Sequence, residues 1–359
     1  MFTSVVDNID EFEQLKTAWN QVYYSDKHAQ VFLSWSWLRG WLEVNSDEWL
    51  ILALRSDEDS AYIAFFPIVI HSWEWNGVKL YRALHTAGDP LADHRGFVCL
   101  PEFEEQAIQN FATYIQENLE WDRFQIRNIS GSQLSTFLKY FRKDKFSIEP
   151  IEQHSYSYIL LPGSWEEYLK NFLGPKARKN VRHALRRVEK QSDIHLEETC
   201  SDNFKAQLDA LLKLMQMQRG SQPKSLLNMY RDIFQRCAEN NNLWLSVLWD
   251  RKKPIAATGM FVDLHKKRAY GYMTGYNSEY SKLSPGRVMM AYSIKKAIDN
   301  NFQIYDFLRG NEEYKFSFFG AQKYFNTSCQ INRKTVKADA MKALKKIKNI
   351  SIYTTHNLF

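Results

Sequence analysis

Between Arg268 and Phe319 the chain reads RAYGYMTGYNSEYSKLSPGRVMMAYSIKKAIDNNFQIYDFLRGNEEYKFSFF, and this order constrains the fold more than any other stretch. Arg268 to Gly275 is aromatic-rich and precedes a polar loop, which predicts a buried strand. Ser284 stands at an N-cap position, and Pro285 at the first helical position, where its missing N–H costs nothing. Met290, Ile294, Ala297 and Ile298 then recur at helical spacing until Asn300-Asn301. Phe302 to Leu308 follows as a second strand that ends in Arg309-Gly310. A helix opening on Ser284, Pro285, Gly286 and Arg287 presents free N–H groups, the positive end of its dipole and a cation. It is a candidate anion cradle, although an ordinary capped helix accounts for the same residues.

At 359 residues, with 45% hydrophobic and 15% aromatic content, the chain has material for two buried cores. Its net charge of +6 is too mild to argue for nucleic acid. The first residues, MFTSVVDNIDEFEQLK, lack the basic start and apolar run of a signal peptide, and no stretch reaches the length of a membrane span. Cys99, Cys200, Cys237 and Cys329 are scattered without metal-ligand spacing or a disulfide framework. The expectation is a cytoplasmic protein that binds no metal.

The rest of the chain shows that the opening pattern occurs twice. Each half reads strand, two helices, three strands, loop, helix, strand, helix and closing strand, a repeat of architecture rather than of residues. This predicts an α+β protein of two tandem units, residues 1–155 and 156–335, sharing a cleft. Residues 336–359 form a basic tail, with Lys337 to Ile352 expected as a terminal helix. The second half begins with two helices: SWEEYLKNF, whose Ser164 and Glu167 form a capping-box pattern, and KARKNVRHALRRVEKQ. The latter has an apolar stripe, Ala177, Val181, Ala184, Leu185 and Val188. Its other faces carry Lys176, Arg178, Lys179, Arg182, Arg186, Arg187 and Lys190 against the one acid Glu189.

This element order resembles the GNAT N-acyltransferase fold, and its tandem copy resembles the Fem-type transferases. FPI at Phe66, the SWEEYL…KARKNVRHALRR segment and SPGRVMMAYSIKKAI…YDFLRGNEEYK are similar to the CelD-like acetyltransferase family of cellulose and exopolysaccharide biosynthesis. The resemblance is strongest from Ser155 to Phe319 and visible from Phe32 to Gly96. It implies direct transfer of an acyl group, in the first place acetyl, from acyl-CoA to an amine or hydroxyl of a sugar, nucleotide-sugar or polysaccharide precursor. The loop YNSEYSKLSPGR is poorer in glycine and basic residues than the usual GNAT phosphate loop, so donor binding there is inferred by position.

Such a transfer requires a held donor, a deprotonated acceptor and a protonated leaving thiolate. Donor contacts are expected from Tyr276, Ser284, Pro285, Gly286 and Arg287. The first half's matching helix begins Pro101-Glu102 with Glu104 and Glu105 close behind, which would repel a pyrophosphate and leaves the donor to the second half. Catalytic candidates are Glu312, Asp306, Tyr314 and His94. Asp306 lies in an apolar strand and needs a partner, with Arg309, Arg287 and Lys315 as candidates. Asp89, Asp93, Arg178, Arg182, Arg309 and Lys315 are the expected substrate contacts. The loop GDPLADHRG, holding Asp89, Asp93 and His94, is expected to project towards the acceptor. Two other functions stay open. One is a Fem-like transfer of an aminoacyl group from tRNA, favoured by the basic helix. The other is a non-catalytic tandem fold acting as scaffold in a polysaccharide-synthesis complex.

Overall fold

The computed structural model describes residues 1–75, 78–151 and 153–335. It divides into two compact units, Met1–His154 with the described residues from Asn326 to Thr335, and Ser155–Phe325. The expected terminal helix at 337–352 lies outside the described residues.

The first unit contributes β1 (Phe2–Val6), β2 (Glu48–Arg55), β3 (Tyr62–Trp75), β4 (Val78–Thr86), β5 (Val98–Cys99), β6 (Arg123–Ile129) and β7 (Phe146–Pro150). Side chains alternate across a strand, so Phe65 and Phe66 of β3 face opposite layers. Phe65 stacks on Trp19 at 4.7 Å between ring centres, while Phe66 meets Phe111 at 5.4 Å. Trp19 belongs to the Lys16–Ser25 helix and Phe111 to the Glu104–Asn118 helix, so both faces of the sheet are covered. Two helices of this unit, Ile9–Gln14 and Lys16–Ser25, meet at Leu15.

The second unit contributes β8 (Ser155–Leu160), β9 (Ile194–Glu198), β10 (Leu243–Asp250), β11 (Lys253–Asp263), β12 (Arg268–Tyr276), β13 (Ile304–Arg309) and β14 (Gln322–Phe325). Phe261 of β11 packs on Phe234 of the Lys224–Glu239 helix. Met260, facing the other way, joins the core formed with Met289 and Ile294 of the Pro285–Asp299 helix. Two further helices, Trp165–Asn171 and Pro175–Glu189, stand between β8 and β9. Ser164 caps the first, its hydroxyl accepting the Glu167 N–H at 3.2 Å. The second buries the expected stripe of Ala177, Val181, Ala184, Leu185 and Val188.

One more strand, β15 (Thr327–Arg333), completes the first sheet. The orders are β1-β2-β3-β4-β6-β15-β7, with β5 on β3, and β14-β8-β13-β12-β11-β10-β9. Read from opposite ends, they are one topology. Each has one parallel pair, β4–β6 and β12–β13, and antiparallel neighbours otherwise. Each also seats a strand from elsewhere in the chain beside that pair. In the second sheet it is β8, which follows β7; in the first it is β15, which follows β14. The expected boundary at residue 335 therefore differs from the division at Phe325, because Thr327–Arg333 pairs with β6 and β7.

Candidate functional site

In the second unit, β12 and β13 pair over three residues only, Arg268–Tyr270 against Ile304–Asp306. Beyond Tyr270 and Asp306 the strands part, and among the described residues no backbone hydrogen bond joins Gly271–Tyr276 to Phe307–Arg309. At the far end of β12 the chain passes through the short 3-10 turn Ser278–Leu283 into the Pro285–Asp299 helix. Ser284 occupies the N-cap position but does not cap. It adopts the left-handed conformation, φ 53° and ψ 51°, and its side chain takes no helix N–H. The 3-10 turn feeding the helix accounts for this, since the Ser284 N–H is bonded to Ser281 O at 2.9 Å.

The helix start is consequently bare. Pro285 has no N–H, and the first backbone bonds run from Arg287 and Val288 back to Ser284 O. Gly286 lies under the half-exposed ring of Tyr276, and a Cβ there would stand 3.0 Å from that ring. Arg287 is exposed, with its guanidinium 4.8 Å from the centre of the Phe318 ring. An uncapped start of a fifteen-residue helix beside parted strands is chemically suited to an anionic group.

The tip after β13 lies against the same place. Lys315 is buried; its ammonium bonds Phe307 O at 3.3 Å, Arg309 O at 3.2 Å and a Glu312 carboxylate oxygen at 3.0 Å. Lys315 is therefore a knot in the tip rather than an open substrate contact. Glu312 remains about half exposed, with its carboxylate folded over Gly310. Tyr314 is part-buried, and burial, then Glu312, then Tyr276, push its hydroxyl up to about 12. It stays protonated over the physiological range. Arg309 is exposed at the end of β13.

Asp306 is fully buried. One carboxylate oxygen accepts the Leu308 N–H at 2.8 Å and the other accepts the Tyr324 hydroxyl at 2.8 Å. Arg268 is a charged neighbour: burial lowers its guanidinium, but Tyr270 and then Asp306 outweigh this and hold it above its usual range. Burial and Asp306 also push the Tyr324 hydroxyl well above the ordinary tyrosine range. Sequence reasoning missed Arg268, Tyr270 and Tyr324. The available signal was that a buried acid in one strand needs a cation, and Arg268 opens the preceding strand.

The first unit has the same parting, with β4 and β6 paired only from Ala83–His85 to Arg123–Gln125. Here the loop after β4 fills it. Arg95 N–H bonds Asn128 O at 3.1 Å, and Gly96, with φ 130°, packs so close to Ile129 that a Cβ would lie 3.0 Å from it. Asp89 is bound to Arg95 at 2.5 Å. Burial raises the Asp89 carboxyl, but Arg95 and Arg127 outweigh it and hold it at about 2. His94 is buried, with Nδ1 2.8 Å from the Asn326 side-chain nitrogen and its ring beside Phe32. It is built into the packing of its own unit, where it is poorly placed to act as a base. Asp93 is half-buried in the same loop. The helix of this unit begins after the 3-10 turn Pro101–Phe103, with Glu104 and Glu105 in its first turn.

On the basic helix, Arg178 caps the preceding helix by bonding Lys170 O at 2.9 Å and Leu173 O at 3.3 Å. Arg182 pairs with Glu166. Both side chains are therefore engaged within the unit. Among the described residues, no group of three or more His, Cys, Asp or Glu is placed to hold a metal ion. No helix among them is long and apolar enough to cross a membrane.

Residues 175–316, which span the bare helix start, match the profile of the acetyltransferase (GNAT) domain. No curated protein matches the chain. Among solved structures it is similar to FemX, at 10% identity and a TM-score of 0.64 over 98% of this chain and 100% of that one. It is also similar to L-PGS from Bacillus licheniformis, at 11% identity and a TM-score of 0.53 over 93% and 96%. A tandem GNAT protein from the clavulanic acid biosynthesis pathway aligns at 6% identity and a TM-score of 0.52 over 92% and 98%. At such identities the likeness is one of fold. The chain is an α+β protein of tandem GNAT fold, with the GNAT domain match in its second unit.

Proposed function

We propose that the second unit is an acyltransferase site that moves an acyl group, in the first place acetyl, from acyl-CoA to an amine or hydroxyl. The observation that carries this is the unbridged opening between β12 and β13, flanked by the bare helix start and by Glu312 and Tyr314. The Gly286 N–H and the helix dipole hold the donor pyrophosphate, with Tyr276, Ser284, Pro285 and Arg287 around it. Glu312, fixed by Lys315 but open to solvent, takes the proton of the acceptor amine or hydroxyl. The new bond forms between that atom and the acyl carbon, the carbon–sulfur bond breaks, and the Tyr314 hydroxyl protonates the leaving thiolate. Arg309, exposed beside the tip, contacts the acceptor.

The acceptor class we assign is a sugar, nucleotide-sugar or polysaccharide precursor, on the strength of sequence motifs that resemble those of the CelD-like family. A second reading, aminoacyl transfer from tRNA, is favoured by the Pro175–Glu189 helix. Lys176, Lys179 and Arg186 are exposed on it, and the ion pair it forms among the described residues is Arg182–Glu166. Release of free thiol from acetyl-CoA, measured across amino-sugar and hydroxyl acceptors, tests the first reading. Turnover that falls about a hundredfold in Glu312→Gln supports it. Turnover unchanged in that variant removes Glu312 from the chemistry. A wild-type protein inert with acetyl-CoA but active with aminoacyl-tRNA establishes the second reading instead.

A further inference from the structure

Asp306 stands at the point where β12 and β13 separate. It is the last residue of β13 that pairs with β12, through Tyr270, before the strands part. Immediately after it, the register of β13 on β8 slips by one residue: Asp306 faces Tyr158 and Leu308 faces Ser157. Such a bulge leaves an N–H without its ladder acceptor and bends the strand. Leu308 also sits at φ 63°, in the left-handed region that a leucine enters only at a cost. Something must stabilise this turn of the backbone. The carboxylate of Asp306 does so locally, accepting the Leu308 N–H at 2.8 Å.

That carboxylate is itself held from two other strands. Tyr324 of β14 donates its hydroxyl at 2.8 Å, and Arg268 of β12 supplies the nearby positive charge. Tyr270, the ladder partner of Asp306, is likewise fully buried. A buried carboxylate persists only where such partners surround it. The network therefore ties β12, β13 and β14 together at the point of divergence. Straightening β13 so that it zipped onto Gly271–Tyr276 would require Leu308 to leave the left-handed region and Asp306 to lose its backbone partner.

We propose that Asp306 is a positioning residue, a latch that keeps β12 and β13 parted so that the acyl donor can lie between them. The inference rests on the donor reading of this opening. The latch itself is a property of the backbone and is testable without any donor. Hydrogen exchange reads it directly, because the Gly271–Tyr276 amides that face the opening lack backbone acceptors on β13.

The experiment compares wild type, Asp306→Asn, Asp306→Ala and Asp306→Ala with Leu308→Gly, by amide exchange and by acetyl-CoA titration. In Asp306→Ala the latch predicts slower exchange over residues 271–276, a direction opposite to that of simple destabilisation, and donor affinity at least tenfold weaker. Asp306→Asn keeps one acceptor oxygen and should stay within about threefold of wild type. Leu308→Gly, which adopts positive φ without strain, should restore fast exchange in the alanine variant. Unchanged or faster exchange at 271–276 in Asp306→Ala overturns the latch. Should Asp306→Ala fail to fold, Tyr324→Phe removes one hold with little change of volume and must still slow exchange at the same amides; no slowing there also overturns it. A wild type that does not bind acetyl-CoA refutes the donor reading, while the exchange comparison still decides the latch.

Discussion

The two parallel strand pairs of this molecule, β4–β6 and β12–β13, begin alike and end differently. Each pairs over three residues and then parts. In the first unit the chain folds back into the gap, with Arg95 bonded to Asn128 and Gly96 against Ile129, and the next helix begins with acids. In the second, no backbone bond among the described residues crosses the gap, and the helix beside it starts with Pro285 and Gly286, uncapped. The lesson is that one architecture serves two ends. Where the loop after the strand carries charges that satisfy one another, as Asp89 and Arg95 do, the parting becomes core. Where it does not, the parting stays available to a ligand.

The largest expected effect concerns how each sheet is completed. Ending the chain at Phe325 removes β15 and bares the facing edges of β6 and β7, whereas residues 155–325 retain every strand of their sheet. The first unit should lose its cooperative unfolding transition, a loss on the order of 5–15 kcal/mol, the whole stability of a domain. The isolated 155–325 fragment should still unfold cooperatively, and calorimetric scans of the two fragments check this. Next in size is Tyr314→Phe, which removes the proposed acid. It should lower kcat by about a hundredfold with the donor KM within about threefold. A variant with equal loss in kcat and donor affinity would make Tyr314 a packing residue.

A third effect, of similar size, is a pH dependence of the first unit. Burial, then His71, hold His85 down at about 3, so it stays neutral when folded. Its folded value lies below the unfolded one, so this stability is present above about pH 6.5 and is lost as pH falls towards the folded value. Between pH 6.5 and 4 the loss should reach about 2–3 kcal/mol, before Asp89 adds its own below about pH 4. Melting temperature measured against pH should show this slope in wild type and a flatter one in His85→Gln. Equal slopes would mean that the buried cluster does not control acid stability.

Much of this was legible in the sequence because it rests on local periodicity. The stripe of the Pro175–Glu189 helix, the Pro285 helix start and the doubled element order all follow from spacing, although Ser284 does not make the expected cap. What was hidden depends on pairing between distant residues. Nothing near Thr327 announces that it belongs between β6 and β7, since strand order is set by the whole sheet. Asp306 was identified as a buried acid in need of a partner, but its partners Arg268 and Tyr324 come from flanking strands. His94 and Lys315 carry groups suited to chemistry, and only the fold shows them buried and engaged, by Asn326 in one case and by backbone carbonyls in the other.

The most direct test of the account is calorimetric titration of acetyl-CoA and of free CoA into wild type and Gly286→Glu. An acid in the first turn of a helix favours the dipole, so the variant should fold, while its charge and bulk meet the Tyr276 ring and any incoming phosphate. The account predicts one micromolar site in wild type, weakened at least a hundredfold in the variant, about 2.7 kcal/mol. Equal affinity in both proteins, or no binding at millimolar donor in either, would contradict it.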